Sequence, residues 1–285
     1  MKKTSHIPEL RDWVASIKKQ GRKIALVPTM GYLHKGHLAL IENAKQTGAL
    51  VVVSLFVNPL QFGPNEDLSR YPRDLERDVR LIEDAGVDVL FNPTVEEMYP
   101  RTMVTFVEVG ELDKVLCGAT RLGHFRGVLT VVSKLFHIVV PDMAFFGQKD
   151  YQQHLIIERM VSDLNFPIEI RSVPIVREED GLAMSSRNVF LNTEERQEAL
   201  ILSQSLNDAE EYIHAGQRSA REIERQVRER ILQESHGVID YVEVRDAGDL
   251  SEVSDIKRSV LLALAVRFGT IRLIDNKVVE VEHNV

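Results

Sequence analysis

Two histidines three positions apart lie in a turn near the start of the chain. His34 and His37 belong to the stretch 27–37, which follows an apolar run at 24–27 and precedes a helix-like segment at 38–45. The pattern predicts a strand, a turn and a helix. Unpaired N–H groups and the positive dipole end at the start of a helix stabilise a bound anion. Imidazoles titrate near neutrality and can donate to phosphate oxygens, so the stretch is a candidate phosphate site.

Two other interpretations of the histidine pair stay open at this point. Histidines of this spacing often form a surface or core pair without function. A zinc site is the second alternative, but His34 precedes Gly36 in the turn and no acidic residue stands nearby at a zinc-like spacing. The sequence therefore predicts no metal site formed by these side chains.

Polar side chains also follow the predicted strand at 49–57. Asn58 and Gln61 come directly after it, at the edge of a sheet where ligands bind in open α/β folds. Their amides can hold the hydroxyl and carboxylate groups of a small acid. A proline-containing turn that uses its own polar side chains explains the same residues equally well.

Two further segments combine glycine with charged or amide side chains. In 121–128, Arg121 and His124 are suited to anion contact, although pairing with surface acids is the alternative. At 147–153, Gly147 allows close backbone approach, and Lys149 can place a charge on a phosphate. In the same segment Asp150 can accept from ribose hydroxyls and Gln153 can reach a neighbouring substrate, while a helix cap at Asp150 is the alternative.

A last cluster lies beyond residue 180. Ser185, Ser186 and Arg187 follow one another, and a planar guanidinium beside two short hydroxyl donors can hold phosphate oxygens. This combination can stabilise the charge that passes to a leaving pyrophosphate.

The elements that must position these residues alternate between apolar runs and amphipathic segments. Strands are predicted at 24–27, 49–57, 87–91, 105–109, 142–146 and 168–176, and helices at 9–20, 38–45, 67–85 and 151–163, with an apolar helical stretch ending at 140. The run at 49–57 is apolar on both faces, which is typical of a parallel sheet covered by helices on both sides. We expect a doubly wound, Rossmann-like α/β domain over residues 1–177.

A polar run at 177–181 marks the predicted domain boundary. Beyond it, Asn192 and Glu195 are typical of a helix cap and its partner, and helices are predicted at 202–213 and 219–234. Strand-like runs follow at 238–244, 260–266 and 271–274. Residues 178–285 are therefore predicted to form a smaller α/β domain that can close as a lid.

Composition excludes several classes of protein. The 285 residues carry a net charge of −8, which argues against a broad nucleic-acid footprint. Cys117 is the only cysteine, so no intrachain disulfide can form, and the N-terminus has no apolar signal core. Apolar runs fall short of the roughly 18 residues that span a bilayer. We expect a soluble cytoplasmic protein with no membrane or nucleic-acid partner.

Taken together and in order, the motifs resemble those of the pantothenate synthetase family of the nucleotidyltransferase superfamily. The residues that carry the resemblance are Pro28-Thr29-Met30-Gly31 with His34-x-Gly36-His37, Phe56-Val57-Asn58-Pro59-x-Gln61-Phe62, Gly123-His124-Phe125-Arg126-Gly127-Val128, Phe146-Gly147-x-Lys149-Asp150, Ser185-Ser186-Arg187-Asn188 and Leu273-Ile274-Asp275-Asn276. The resemblance covers approximately residues 24–277. It implies ATP-dependent condensation of (R)-pantoate with β-alanine through a pantoyl-adenylate, with release of pyrophosphate and AMP, and it implies a homodimer.

The resemblance also implies roles for individual residues. Catalytic roles fall to His34, His37, Lys149, Ser185, Ser186 and Arg187, with His37 as the preferred proton donor. ATP contacts fall to Thr29, Met30, Gly31, His34, His37, Gly147, Gln148, Lys149, Asp150, Val176, Met184, Ser185, Ser186 and Arg187. Pantoate or β-alanine contacts fall to Gln61, Gln153, Asn58, Arg121 and His124. Mg²⁺ is expected to be held mainly by the ATP phosphates, with a contact from Asp78.

Two alternatives to this function remain. One is a nucleotide-binding regulatory module without turnover, although a decayed enzyme is expected to have lost one of its charged phosphate ligands. The other is a cytidylyltransferase-like enzyme with a different acceptor, against which the amides of Gln61 and Gln153 favour a hydroxy acid.

Overall fold

The computed structural model describes residues 1–64 and 66–281, which divide into two compact units. Met1–Gly110 and Arg121–Pro174 form the first unit, and Glu111–Thr120 with the chain from Ile175 onward forms the second. The boundary predicted after residue 177 lies three residues beyond this break, and no pattern in the sequence indicated that 111–120 joins the second unit. The functions assigned to the two predicted domains stay predictions.

A parallel sheet forms the centre of the first unit. Its strands are β1 (Lys2–Thr4), β2 (Ile24–Thr29), β3 (Leu50–Leu55), β4 (Val89–Phe91), β5 (Met143–Gly147) and β6 (Glu169–Val173). They lie in the order β1-β4-β3-β2-β5-β6, and every pair is parallel. All residues of β3 are buried, as the apolar run at 49–57 predicts for a central strand of a covered sheet.

Helices connect these strands. Up to residue 163 the helices are α1 (Ile7–Lys19), α2 (Lys35–Gln46), α3 (Leu75–Asp84), α4 (Val95–Met98), α5 (Leu116–Thr120), α6 (His124–Val139) and α7 (Tyr151–Asp163), of which α5 belongs to the second unit. Leu40, Ile41 and Ala44 of α2 and Ile82 of α3 pack with alternate residues of β2 and β3 in one apolar cluster. The connections β2-α2-β3 and β3-α3-β4 run toward one edge of the sheet, and the connections through α1, α6 and α7 run toward the other. Because parallel crossovers are right-handed, helices whose connections run in opposite directions lie on opposite faces. The other face is therefore covered by α1, α6 and α7. The doubly wound prediction is confirmed.

The strand order reverses between β2 and β5. From β2 the chain passes through α2 to β3 on one side, whereas β5 and β6 lie on the other. Ligands of doubly wound sheets bind outside the carboxyl ends of the strands at such a switch point. The residues that follow β2, β3 and β5 are therefore the ones placed for chemistry.

Two local predictions about the first unit were wrong, and one strand was missed. Residues 105–109 form no strand, because the Val107 N–H donates to the Thr130 hydroxyl of α6 (3.2 Å) instead of to a neighbouring strand. Only 75–84 of the helix predicted at 67–85 is helical, since Asp74 caps its start by accepting from the Arg77 N–H. The short strand β1 at the sheet edge, paired with β4, was not predicted.

The second unit is built on an antiparallel sheet. Its remaining elements are α8 (Thr193–Glu198), α9 (Ile201–His214), α10 (Ala220–Glu234), β7 (Val238–Asp246), β8 (Val260–Phe268) and β9 (Ile271–Val279). The strands lie in the order β7-β8-β9, and α9 and α10 pack on one face of the sheet. Asn192 and Glu195 form the predicted reciprocal cap at the start of α8. The smaller α/β domain of the prediction is confirmed.

Membrane-spanning segments were not expected from the sequence. Within the described residues, no helix is both long and apolar enough to cross a membrane.

Candidate active site

The turn after β2 is held by a buried carboxylate from α3. Asp78 accepts hydrogen bonds from the backbone N–H groups of Tyr32 and Leu33, each at 2.7 Å, and its side chain is 1% exposed. Gly31 has φ +90°, and a Cβ there would lie 3.1 Å from the Asp78 carboxylate. The turn therefore requires glycine at position 31 and an acceptor at position 78.

Asp78 has a structural role in this arrangement. Both of its oxygens accept from backbone amides, the Arg77 guanidinium lies 3.7 Å away, and burial raises the pKa of the carboxyl group above its usual value. The contact between Asp78 and Mg²⁺ that the resemblance implied is not supported, because the carboxylate is enclosed by the turn that it holds. The Asp78 side chain instead fixes the turn that positions the residues after it, beginning with His34.

The two histidines cap α2 with their ring nitrogens. The Nδ1 atom of His34 accepts from the Gly36 N–H (3.1 Å), and the Nδ1 atom of His37 accepts from the His34 N–H (3.3 Å). A backbone N–H can only donate, so both Nδ1 atoms are unprotonated and each neutral ring carries its proton on Nε2. The ring centroids are 4.1 Å apart. The pair therefore offers two Nε2–H donors side by side.

Neither histidine titrates near neutrality, contrary to the expectation from the free imidazole. Burial, reinforced by the positive charge of Lys149, lowers the pKa of His34 to about 4. Burial, with the charges of His34 and Lys149, also holds the pKa of His37 well below its usual value of 6.5. Both rings are neutral hydrogen-bond donors at pH 7, and the expectation that His37 supplies a proton is revised to donation of a hydrogen bond.

The segment after β5 brings a positive charge to the same edge of the sheet. Gly147 ends β5, and Gln148, Lys149 and Asp150 form a single 3₁₀ turn before α7. The charges of Lys149 and Asp150 both act on the pKa of His34, which places them beside the histidine pair. Gln148 points to the neighbouring strand, where its amide donates to the Ser172 hydroxyl (3.2 Å).

Asp150 occupies the N-cap position of α7 without capping it. The side chain is exposed and makes no capping hydrogen bond, so the alternative interpretation as a helix cap is wrong. Its carboxylate remains available to ligand hydroxyls. One turn later on α7, the partly buried amide of Gln153 has no hydrogen-bond partner within residues 1–64 and 66–281. An amide in this state is well suited to a substrate.

Other predicted ATP contacts lie where β2 ends. The Thr29 hydroxyl accepts from the Gly31 N–H (3.2 Å), which helps to close the turn. The Met30 sulfur lies 3.2 Å from the Gln61 Nε2 atom, so the turns after β2 and β3 meet at these two side chains. Adjacent parallel strands produce this meeting, because their carboxyl ends share one edge.

Asn58 is bonded on every side by the protein itself. Its Nδ2 group donates to the Gln61 Oε1 atom and to the Gly127 carbonyl, each at 3.1 Å, and its Oδ1 atom accepts from the Leu60 N–H and the Tyr99 hydroxyl. The side chain is 1% exposed. These bonds use both hydrogens and both lone pairs of the amide. They orient Gln61, and a direct contact between Asn58 and an acid substrate stays a prediction.

Arg121 and His124 are likewise engaged with the loop that carries Gln61. The Arg121 guanidinium makes two bonds to the Glu66 carboxylate (2.8 and 2.6 Å) and one to the His124 Nε2 atom (3.0 Å). Since that nitrogen must then accept, the opposite Nδ1–H donates to the Gln61 carbonyl (2.9 Å). Burial and the charge of Arg121 lower the pKa of His124 to about 4. The pairing with an acid that was left open for Arg121 is confirmed.

The remaining predicted ligands lie in the second unit. Val176 and Met184 face each other across a hairpin, joined by a bond from the Met184 N–H to the Val176 carbonyl (3.0 Å). Ser185 then accepts from the Arg187 N–H (3.2 Å) and starts a 3₁₀ helix, Ser186–Phe190. Ser186 is buried, whereas Met184, Ser185 and Arg187 are partly exposed.

An ion pair between a partly exposed arginine and a buried aspartate, which the sequence did not reveal, holds this hairpin. Arg177 binds Asp275 of β9 through two bonds of 2.7 and 3.0 Å, and also donates to the Gly181 carbonyl (3.1 Å). The sequence shows Arg177 only as part of a polar run, and Asp275 only as part of a motif. The only signal for such a partner was that Asp275 is the one acidic residue of β9, which also carries Arg272 and Lys277.

Comparison with known proteins adds independent information. A family model described as pantoate-beta-alanine ligase matches residues 2–278. Pantothenate synthetase of Desulfitobacterium hafniense is 64% identical over 274 residues, which cover 96% of this chain and 97% of the relative.

Solved structures agree with the sequence relatives. A pantothenate synthetase of Thermus thermophilus superposes with a TM-score of 0.92 at 48% identity, covering 97% of this chain and 99% of that one. A pantoate-β-alanine ligase of Francisella tularensis, in complex with β-γ ATP and β-alanine, superposes with a TM-score of 0.79 at 33% identity, and 97% of each chain is covered.

Proposed function

The chain belongs to the pantoate–β-alanine ligase family, and on this premise we propose that it condenses (R)-pantoate with β-alanine at the expense of ATP. The reaction passes through a pantoyl-adenylate and releases pyrophosphate and then AMP. The relative from Francisella tularensis was solved with an ATP analogue and β-alanine, which supports both ligands for this chain. The observation that carries the proposal is the pair of Nε2–H donors on His34 and His37 beside Lys149.

Phosphate binding follows from the charge and donors at this edge of the sheet. Two neutral N–H donors fix phosphate oxygens by direction, and the Lys149 ammonium compensates their charge. We assign further ATP contacts to Thr29, Met30, Gly31, Gly147, Gln148 and Asp150 in the first unit and to Val176, Met184, Ser185, Ser186 and Arg187 in the second. Asp150 supplies an acceptor for a ribose hydroxyl, since its carboxylate does not cap α7.

Acid substrates are assigned to the two glutamines. Gln153 has an amide without a partner in the described chain, and Gln61 is oriented by Asn58. Asn58, Arg121 and His124 contribute to the same subsite by holding the Gln61 side chain and carbonyl. Amide donors suit the hydroxyl and carboxylate oxygens of pantoate.

The chemistry requires positioning and charge stabilisation. A carboxylate oxygen of pantoate attacks the α-phosphorus of ATP, and the bond to the bridging oxygen breaks as pyrophosphate leaves with its electron pair. The amine of β-alanine then attacks the acyl carbon, the acyl–oxygen bond breaks with its electron pair passing to AMP, and the nitrogen loses a proton to water. No covalent bond to the protein forms, so the buried thiol of Cys117 is not needed. Lys149, Ser185, Ser186 and Arg187 stabilise the charge that develops on the phosphates.

Mg²⁺ is expected to accompany ATP. In the first unit the Asp78 carboxylate is enclosed by backbone donors, so the donor set there fits an ion held mainly by phosphate oxygens and water. When bound, the ion would neutralise phosphate charge, and His34, His37 and Lys149 would orient the phosphate chain. We further propose a homodimer, a cytoplasmic location and a lid role for residues 178–285.

Isotope exchange tests the proposal. Purified protein is incubated with ATP and labelled pyrophosphate, with and without pantoate, and the products are identified by mass spectrometry after β-alanine is added. Pantoate-dependent exchange, followed by pantothenate and AMP, supports both half-reactions. Exchange with another acid in place of pantoate rejects the substrate, and no exchange despite ATP binding rejects the enzyme.

A further inference from the structure

A chain of hydrogen bonds between side chains leads from Tyr99 to Gln61. The Tyr99 hydroxyl lies 2.8 Å from the Asn58 Oδ1 atom, and the Asn58 Nδ2 atom lies 3.1 Å from the Gln61 Oε1 atom. Tyr99 follows α4, far from every motif that the sequence singled out. Its ring contacts Phe56 at the end of β3, with centroids 6.0 Å apart. The Tyr99 phenol thus bonds to the turn after β3, which carries Asn58 and Gln61.

Backbone groups fix the direction of this chain. The Asn58 Oδ1 atom accepts from the Leu60 N–H (3.3 Å), and its Nδ2 group donates to the Gly127 carbonyl (3.1 Å). A backbone N–H only donates and a carbonyl only accepts, so the amide of Asn58 has one possible orientation. Tyr99 must then donate to Asn58, and Gln61 must accept from it. Burial raises the pKa of the Tyr99 phenol, which keeps its proton in place.

These bonds determine which way the side-chain amide of Gln61 is oriented. With Oε1 bonded to Asn58, the Nε2 group is turned away from Asn58, and one of its hydrogens points to the Met30 sulfur at 3.2 Å. The second Nε2 hydrogen has no partner within the described ranges 1–64 and 66–281. A flipped amide would present a carbonyl oxygen instead, and two oxygens carrying partial negative charge would then face each other when an acid binds.

We propose that Tyr99 is a positioning residue that acts through Asn58 to hold the Gln61 amide with its N–H toward the acid substrate. The inference rests on the proposed function, in which Gln61 contacts pantoate. We call the bonded series Tyr99, Asn58 and Gln61 the relay. Each of its bonds polarises the next, so the relay strengthens the Gln61 N–H donor as well as orienting it. Gly127 permits the relay, because a Cβ at this position would overlap the backbone of Leu60 and Gln61.

Replacing Tyr99 by Phe removes one hydroxyl and leaves the ring contacts. We expect the KM for pantoate in the exchange assay to rise roughly two- to tenfold, the effect of one neutral hydrogen bond. The KM for ATP and the maximal rate are expected to stay within about twofold, since the relay touches neither the histidines nor Lys149. Tyr212→Phe, an exposed tyrosine on α9, is the matched control and is expected to match the unsubstituted protein.

A double-mutant cycle separates positioning from a general structural effect. In a Gln61→Ala background, Tyr99→Phe is expected to leave the KM for pantoate unchanged, because the relay then has no terminal group. The same rise in both backgrounds overturns the proposal, as does an equal rise in the KM for ATP.

Failure of the proposed function is recognised separately. If the unsubstituted protein shows no pantoate-dependent exchange, the substrate assignment of Gln61 fails, and the relay is read directly from the NMR signals of the side-chain amides. Tyr99→Phe is expected to shift the Asn58 and Gln61 amide signals, while Tyr212→Phe is not. Unchanged Asn58 and Gln61 signals in the Tyr99 variant overturn the relay itself.

Discussion

A buried carboxylate holds two of the three segments for which phosphate contacts are proposed, and the two carboxylates have different partners. Asp78 in the first unit accepts from two backbone N–H groups, whereas Asp275 in the second unit binds the Arg177 guanidinium. Both side chains are 1% exposed. Backbone donors hold the Asp78 carboxylate at 2.7 Å, the Arg77 guanidinium lies farther away at 3.7 Å, and burial raises the pKa of this carboxyl group. The guanidinium neutralises Asp275 and joins the hairpin to β9.

The largest effect is expected from removing the first of these carboxylates. Asp78→Ala leaves the Tyr32 and Leu33 N–H groups buried without an acceptor, at about 1–3 kcal/mol each, so unfolding free energy should fall by about 2–6 kcal/mol. Urea denaturation measures the change. Asp275→Ala should cost less, about 1–3 kcal/mol, because it leaves one backbone N–H, that of Asn276, without this acceptor, and Arg177 is 30% exposed and keeps its bond to the Gly181 carbonyl. Equal losses in the two variants would contradict the distinction between the carboxylates.

A slightly smaller effect is expected from replacing His37, which follows the turn that Asp78 holds. His37→Ala removes the N–H donor that we propose for the phosphates, and it should lower pantoate-dependent exchange by about 10²–10³, or roughly 2.7–4 kcal/mol. The control is His214→Ala, an exposed histidine on α9. Circular dichroism should show that both variants fold. Exchange at the unsubstituted rate in His37→Ala would remove His37 from the phosphate site.

The smallest effect concerns the pH dependence of stability, where the two units should differ in sign. The folded pKa of His124 is lowered to about 4, below the unfolded value of about 6.5. Its contribution is therefore complete above pH 6.5 and falls by about 1.4 kcal/mol per pH unit as pH decreases toward 4. His236 in the second unit has a raised pKa, caused by Glu198, so its contribution is present at low pH and is lost as pH rises through the folded pKa.

Two substitutions separate these contributions. His124→Gln should flatten the loss of stability between about pH 6.5 and 5, whereas His236→Gln should remove a loss of stability that occurs as pH rises above 6.5. Urea denaturation at several pH values measures both slopes. A slope that His124→Gln leaves unchanged would show that the ring is protonated in the folded protein.

Much of this architecture was predictable because its signals are local. The strand, turn and helix at 24–45 and the reciprocal cap of Asn192 and Glu195 rest on hydrophobic period and on residues three apart. The strand β6 was predicted near the sheet edge, and Pro174 lies directly after its last residue. The apolar patterns of β1 and of 105–109 were too short or ambiguous to assign. Whether such a segment becomes a strand depends on a partner far away in the chain, which the local sequence does not reveal.

The placement of the candidate site residues after the strands could be predicted from the sequence, but the side chains that support them could not. The motif residues follow the strands that the topology brings together, and the charges of Lys149 and Asp150 act on His34 in the folded chain. The supports are long-range: Asp78 and Tyr32 are 46 positions apart, and Arg177 and Asp275 are 98 apart. The shifted pKa values of the histidines also depend on burial, which spacing alone does not reveal.

The central claim is that backbone donors fix His34 and His37 as neutral rings with protons on Nε2. The most direct test is nitrogen NMR of the imidazoles at pH 7, with His34→Gln and His37→Gln variants to assign the signals. We predict that both rings have an unprotonated Nδ1 and a protonated Nε2. A doubly protonated ring, or a proton on Nδ1 of either histidine, would contradict the account.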